Sequence, residues 1–122
     1  MKALCLFLML LPAPALAETA LEMQSDCAPF RSAAVHGDTV RFDQTFDTGV
    51  CWGAFAFFQQ AMRWGKAELD RALRVCPPPE SYRVELIKIF LRYVDQHPEF
   101  GHRDFADVAL WSLKAAFPCN SN

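Results

Sequence analysis

The sequence predicts an all-α fold, a small disulfide-braced bundle of about four helices joined by short antiparallel connections. Three observations carry it. Apolar residues recur at helical spacing from Val50 to Phe117, prolines at 77–79, 98 and 118 cut that stretch into helix-sized pieces, and four cysteines follow a leader-like N-terminus.

The leader comes first. Met1 and Lys2 precede an apolar run from Ala3 to Leu11, and Ala15 and Ala17 supply the small residues of an A-x-A cleavage site. The run is too short to span a bilayer. Cleavage is expected before Glu18, leaving residues 18–122 as one small exported domain in the periplasm, with no membrane segment after the cut. Losing Lys2 leaves eleven Lys and Arg against fourteen Asp and Glu, a charge of −3. Neither sign forms a block, which argues against a nucleic-acid partner.

Glu18 to Cys27, with Leu21 and Met23 among acids, suits a short helix. Ala28 to Gly49 is punctuated by Gly37, Asp38 and Gly49 and reads as a loop with at most a short extended piece, not a sheet. From Val50 to Trp64 the chain is apolar around most of a helix, with Thr48 or Asp47 placed to cap it. That helix is expected to be the central, most buried element. Gly65 lets it end or bend, and Ala67, Leu69, Ala72 and Leu73 give residues 66–75 a further amphipathic turn before Pro77, Pro78 and Pro79 stop it.

Ser81 is the expected cap of a third helix, with Val84, Ile87, Leu91 and Val94 as its stripe and Leu86, Phe90 and Tyr93 widening it. It must stop near His97, because a residue before proline is pushed out of the helical region. Asp104 and Asp107 suit the first turn of a last helix lined by Ala106, Leu110, Leu113 and Phe117.

An even cysteine count in a small exported chain reads as disulfides, and no CxxC pair is present to favour zinc or redox chemistry. Alternating helix direction ranks the pairings. Cys51 starts the second helix and Cys76 follows its far end; two further helices go out and return, setting Cys119 beside Cys76 and leaving Cys27 for Cys51.

The sequence offers no catalytic site, cofactor motif or metal site. A cysteine nucleophile beside His36, His97 or His102 would need a free thiolate. GxSxG, HExxH and phosphate-loop patterns are all missing. The turn His97, Pro98, Glu99, Phe100, Gly101 and His102 reads better as a partner-binding surface on a stiff hairpin. The plainer alternative is that Phe100 folds back to staple the two helices. The aromatics are mostly core residues, though Trp52, Trp64 and Trp111 could mark an interface and a small apolar bundle could form a homodimer.

CysTrpGly at 51–53, CysProPro at 76–78, TyrValAspGlnHisProGlu at 93–99 and AlaPheProCys at 116–119 together resemble the Rap/Tai family of type VI secretion amidase immunity proteins. The resemblance spans Val50 to Cys119. It implies a non-enzymatic periplasmic protein, often a homodimer, that occludes a cysteine-peptidase-like peptidoglycan amidase effector with the connection between its last two helices, here His97 to His102. Ala54 and Phe57 stand where the family usually has an aromatic and a glycine, so Phe57 changes how closely a second helix can approach. The alternative function is a periplasmic stress or chaperone-like helical protein of the same fold with no toxin partner.

Overall fold

The computed structural model describes residues 17–37, 39–68 and 74–120. The leader up to residue 16 and the amphipathic residues Leu69, Ala72 and Leu73 lie outside them, as do the side chains of Trp64 and Ala67. The order is α1 (Ala20–Cys27), a 3-10 turn (Ala28–Ser32), β1 (Val35–His36), β2 (Thr39–Val40), α2 (Phe46–Glu68), α3 (Arg83–Gln96), a 3-10 turn (Pro98–Phe100) and α4 (Phe105–Ala116). The bundle is mainly helical, as the periodicity predicts.

Residues 28–49, expected as a loop and not a sheet, contain a short two-stranded sheet. Gly37, at φ 60°, makes the tight turn of an antiparallel hairpin in which Val35 pairs with Val40 and His36 with Thr39. Beyond it, Phe42 turns inward onto Phe30 and Trp52, with ring centroids 4.7 and 5.1 Å away. Trp52 is therefore occupied within the fold, with Arg83 stacked 4.4 Å from its ring.

Helix α2 starts earlier than its apolar pattern suggests, and its cap is Thr45. The Thr45 hydroxyl accepts from the Thr48 N–H at 3.2 Å, and the Thr45 N–H donates to the Thr48 hydroxyl at 2.9 Å. That is a reciprocal capping box with threonine in the usual place of glutamate. Nor is α2 the most buried helix. Its described side chains bury Thr48, Cys51 and Phe55, while Phe46 and Phe57 are 84% and 65% exposed. Among the described residues, Phe46 and Phe57 are left without cover on its outer side.

The buried centre is α3, which packs against α1, α2 and α4. It buries Val84, Leu86, Ile87, Phe90, Leu91 and Val94, the expected stripe with Tyr93 half-buried at its edge. At about 1.5–3 kcal/mol for each large apolar side chain, this face is a main source of stability. Phe55, Phe90 and Phe105 join α2, α3 and α4 through ring contacts of 5.3–5.7 Å.

Tyr82, not Ser81, is the cap of α3. Glu85 reaches back to the Tyr82 N–H at 3.2 Å, while the Ser81 N–H is used at 3.1 Å by Pro78 in closing the triproline turn. On α4 the buried face is Val108, Ala109, Ser112 and Leu113. Only Leu113 of the expected set is fully buried; Ala106 is exposed, and Leu110 and Phe117 are half-buried. Phe105, inserted among Phe55, Phe58 and Phe90, rotates the helix away from the simpler pattern.

Cys27 bonds Cys51 and Cys76 bonds Cys119, the pairs that alternating helix direction selects. The Cys76 N–H also donates to the Phe117 carbonyl at 3.1 Å, so the open end of the α3–α4 hairpin is tied twice.

Candidate partner-binding tip

The hairpin's other end is built around Pro98. It has no N–H to continue α3, so the helix ends at Gln96 and His97 takes φ −129°, ψ 62°. The His97 N–H still caps the helix, donating to the Tyr93 and Val94 carbonyls at 2.9 and 3.2 Å. Pro98 to Phe100 then make one tight turn, closed by Phe100 N–H to His97 O at 3.0 Å and Gly101 N–H to Pro98 O at 3.1 Å.

The six expected contact residues divide into two groups. Phe100 folds inward, 5.3 Å from the Trp111 ring and stacked at 5.5 Å on His97, which lies 4.4 Å from Tyr93. Gly101 is buried, and a Cβ added there would meet Pro98 O at 3.3 Å and Leu21 Cβ at 3.6 Å. These two support the loop, as the stapling alternative has it for Phe100. Pro98, Glu99 and His102 face solvent, with His97 partly open beside them. Glu99 lies 3.3 Å from His97 Nδ1. Its own backbone N–H, then His97, holds the Glu99 carboxyl below its ordinary range.

A second support is invisible in sequence. The start of the fold crosses under the tip: Ala20 N–H donates to Arg103 O at 2.8 Å, Leu21 N–H to Gly101 O at 2.9 Å, and Phe105 N–H to Glu18 O at 2.9 Å. Thr19 and Asp104 form an antiparallel bridge. The tip carbonyls thereby satisfy N–H groups that the first turn of α1 would otherwise leave open. Thr19 and Glu22 complete that end as a capping box, and the bonds from Thr19 hold the Glu22 carboxyl low. Both limbs of the tip are thus tied to rigid helices.

Cys27, Cys51, Cys76 and Cys119 are all in disulfides and offer no thiolate. Among the described residues no group of three or more His, Cys, Asp or Glu is placed to hold a metal ion, and no helix is long and apolar enough to cross a membrane.

A disulfide-tied helical hairpin with a supported, solvent-facing turn is what a binding protein needs. The family model of Rap1a immunity proteins matches residues 18–119, nearly the whole span described. The chain belongs to the Rap1a immunity protein family. Neither a curated protein nor a solved structure matches it in parallel comparisons. Membership carries a coarse function, immunity against a toxin effector, and therefore binding to that effector. The fold does not of itself say which toxin.

Proposed function

We propose that the chain is exported, loses residues 1–17, and in the periplasm binds and occludes a type VI secretion peptidoglycan amidase effector, protecting the cell that makes it. The observation that carries this reading is the family match over residues 18–119, which begins at the first residue after the expected cut. Two disulfides suit an oxidising compartment. His97, Pro98, Glu99 and His102 are the contact set, with Phe100 and Gly101 holding them in place. Such a preformed turn binds with little ordering cost, and enters the effector's substrate groove ahead of the stem peptide. The inhibitor itself performs no chemistry.

A homodimer fits the same reading. The outer face of α2 carries exposed Phe46 and Phe57 around Gly49 and Gly53, where nothing lies within 4 Å of an added Cβ. A second copy covers that flat apolar face.

The test is an inhibition assay. Protein lacking residues 1–17 is mixed with the cysteine-peptidase-like amidase encoded beside it. Hydrolysis of peptidoglycan is abolished at equimolar inhibitor; undiminished hydrolysis together with no complex on a sizing column overturns the proposal.

A further inference from the structure

Beside the tip, α3 carries a cationic ridge that its own fold does not neutralise. Lys88 and Arg92 stand four residues apart, a like-charge spacing that mildly disfavours a helix. Asp95, three residues beyond Arg92, is occupied by both Arg31 nitrogens at 2.6 and 2.9 Å and by the Gln24 amide at 2.7 Å. Lys88 donates to the Ala33 carbonyl at 2.9 Å. Arg92 is exposed and has no hydrogen bond or ion pair among the described residues, on a chain whose net charge is −2.

Arg92 also borders a groove of about 180 Å³ between α3 and α4, with Tyr93 and Gln96 on its side and Ser112, Ala115 and Ala116 opposite. The Ser112 hydroxyl is turned away to the Ala109 carbonyl at 2.7 Å, and no carboxylate lines the groove. Small-molecule sites run from about 300 Å³ upward, so this space fits one or two side chains of a protein better than a free ligand. Tyr93 belongs both to the groove and, 4.4 Å from the His97 ring, to the tip. Trp111 stands 36% exposed against Phe100. The surface is therefore continuous from tip to groove, with an aromatic anchor at one end and an unpaired cation at the other.

We propose that the partner's footprint continues from the tip into the α3–α4 groove, where Arg92 takes a carboxylate from an acidic loop of the partner protein and Trp111 is the apolar anchor. This extends the reading of the tip as the contact and rests on it. An anionic membrane is the poorer fit. Lipid-binding clusters carry about 4–8 basic residues, whereas this ridge has Lys88 and Arg92, and the neighbouring Arg31 is neutralised by Asp95.

The probe is an oligoglutamate peptide titrated into isotope-labelled protein lacking residues 1–17, with oligoglutamine as control and phosphatidylglycerol vesicles as a second arm. Oligoglutamate shifts the amide signals of Arg92 and Gln96 and the Trp111 indole signal. Arg92→Glu weakens that binding about fivefold, the worth of one exposed charge pair. Shifts confined to other surfaces, an Arg92→Glu variant that binds undiminished, or tighter binding to the vesicles each overturn the proposal. Among the described residues Arg92 has no hydrogen-bond or ion-pair partner to lose, so the variant remains folded. If the amidase is inhibited equally by Arg92→Glu and wild type, the tip reading stands and the extended footprint falls.

Discussion

Arg31 and Asp95 are joined by two parallel hydrogen bonds, 2.6 and 2.9 Å long, between the 3-10 turn after α1 and the last turn of α3. The guanidinium holds the Asp95 carboxyl below its ordinary 3.8, and the Gln24 amide adds to this. A depressed carboxylate contributes stability above its unfolded pKa and loses it as pH falls through the folded value. Both side chains are nearly half exposed, so solvent screening limits the pair. Asp95→Asn is expected to cost about 0.5–1 kcal/mol at neutral pH and less at about pH 2, since the carboxylate's contribution is lost as pH falls below 3.8 through its depressed folded value. Urea midpoints at the two pH values check this; an equal loss at both would mean that packing, not charge, joins the two elements.

The two disulfides close loops of 24 and 43 residues. In the chain-entropy model they contribute about 3.5 and about 4 kcal/mol respectively. Replacing Cys76 and Cys119 by serine is therefore expected to destabilise slightly more than replacing Cys27 and Cys51. It should also loosen residues near Phe117, where the Cys76 N–H bond depends on the same closure. Denaturant titration of the two double variants gives the order, and hydrogen exchange at the residue 76 amide gives the location.

Helix α3 was legible because local rules dominate there. Pro98 dictates where α3 ends, and the Val84, Ile87, Leu91 and Val94 spacing dictates which face is buried. Where position depends on a distant neighbour, the same rules mislead. Phe105 has to enter the space among Phe55, Phe58 and Phe90, and α4 turns accordingly. The apolar wealth of α2 suggested the centre of a core, yet apolar residues around a whole circumference are equally compatible with an unpartnered face. The composition of the tip was readable, but the crossing of Thr19 beneath Asp104 was not, because an isolated backbone bridge leaves no side-chain pattern.

Phe46 and Phe57 are 84% and 65% exposed on α2, the arrangement a self-association face requires. Phe57→Asp is expected to leave unfolding free energy within about 0.5 kcal/mol of wild type, since an exposed side chain loses little burial. The same change is expected to convert a dimer to a monomer in sedimentation equilibrium. A wild-type protein that stays monomeric at high concentration removes this role for the face.

Gly101 and Leu21 meet beneath the tip, the first buried and the second donating its N–H to the first at 2.9 Å. A methyl group at position 101 would meet Pro98 O at 3.3 Å and Leu21 Cβ at 3.6 Å, so the carbonyl must yield by a few tenths of an ångström. Because φ at Gly101 is −56°, the backbone itself accepts alanine, and the effect is confined to that contact. Gly101→Ala is thus expected to cost about 1 kcal/mol as mild overpacking and to speed amide exchange at Phe100 and Arg103. Removing Glu18 and Thr19 acts on the same loop from the other side. It deletes the bond to Phe105 and the capping box but leaves Pro98, Glu99 and His102 in the chain. If the supported shape of the turn is what binds, both variants lose affinity for the toxin effector while global stability falls little. If the exposed residues suffice in any conformation, both bind as wild type does, and the strap beneath the tip serves the fold alone.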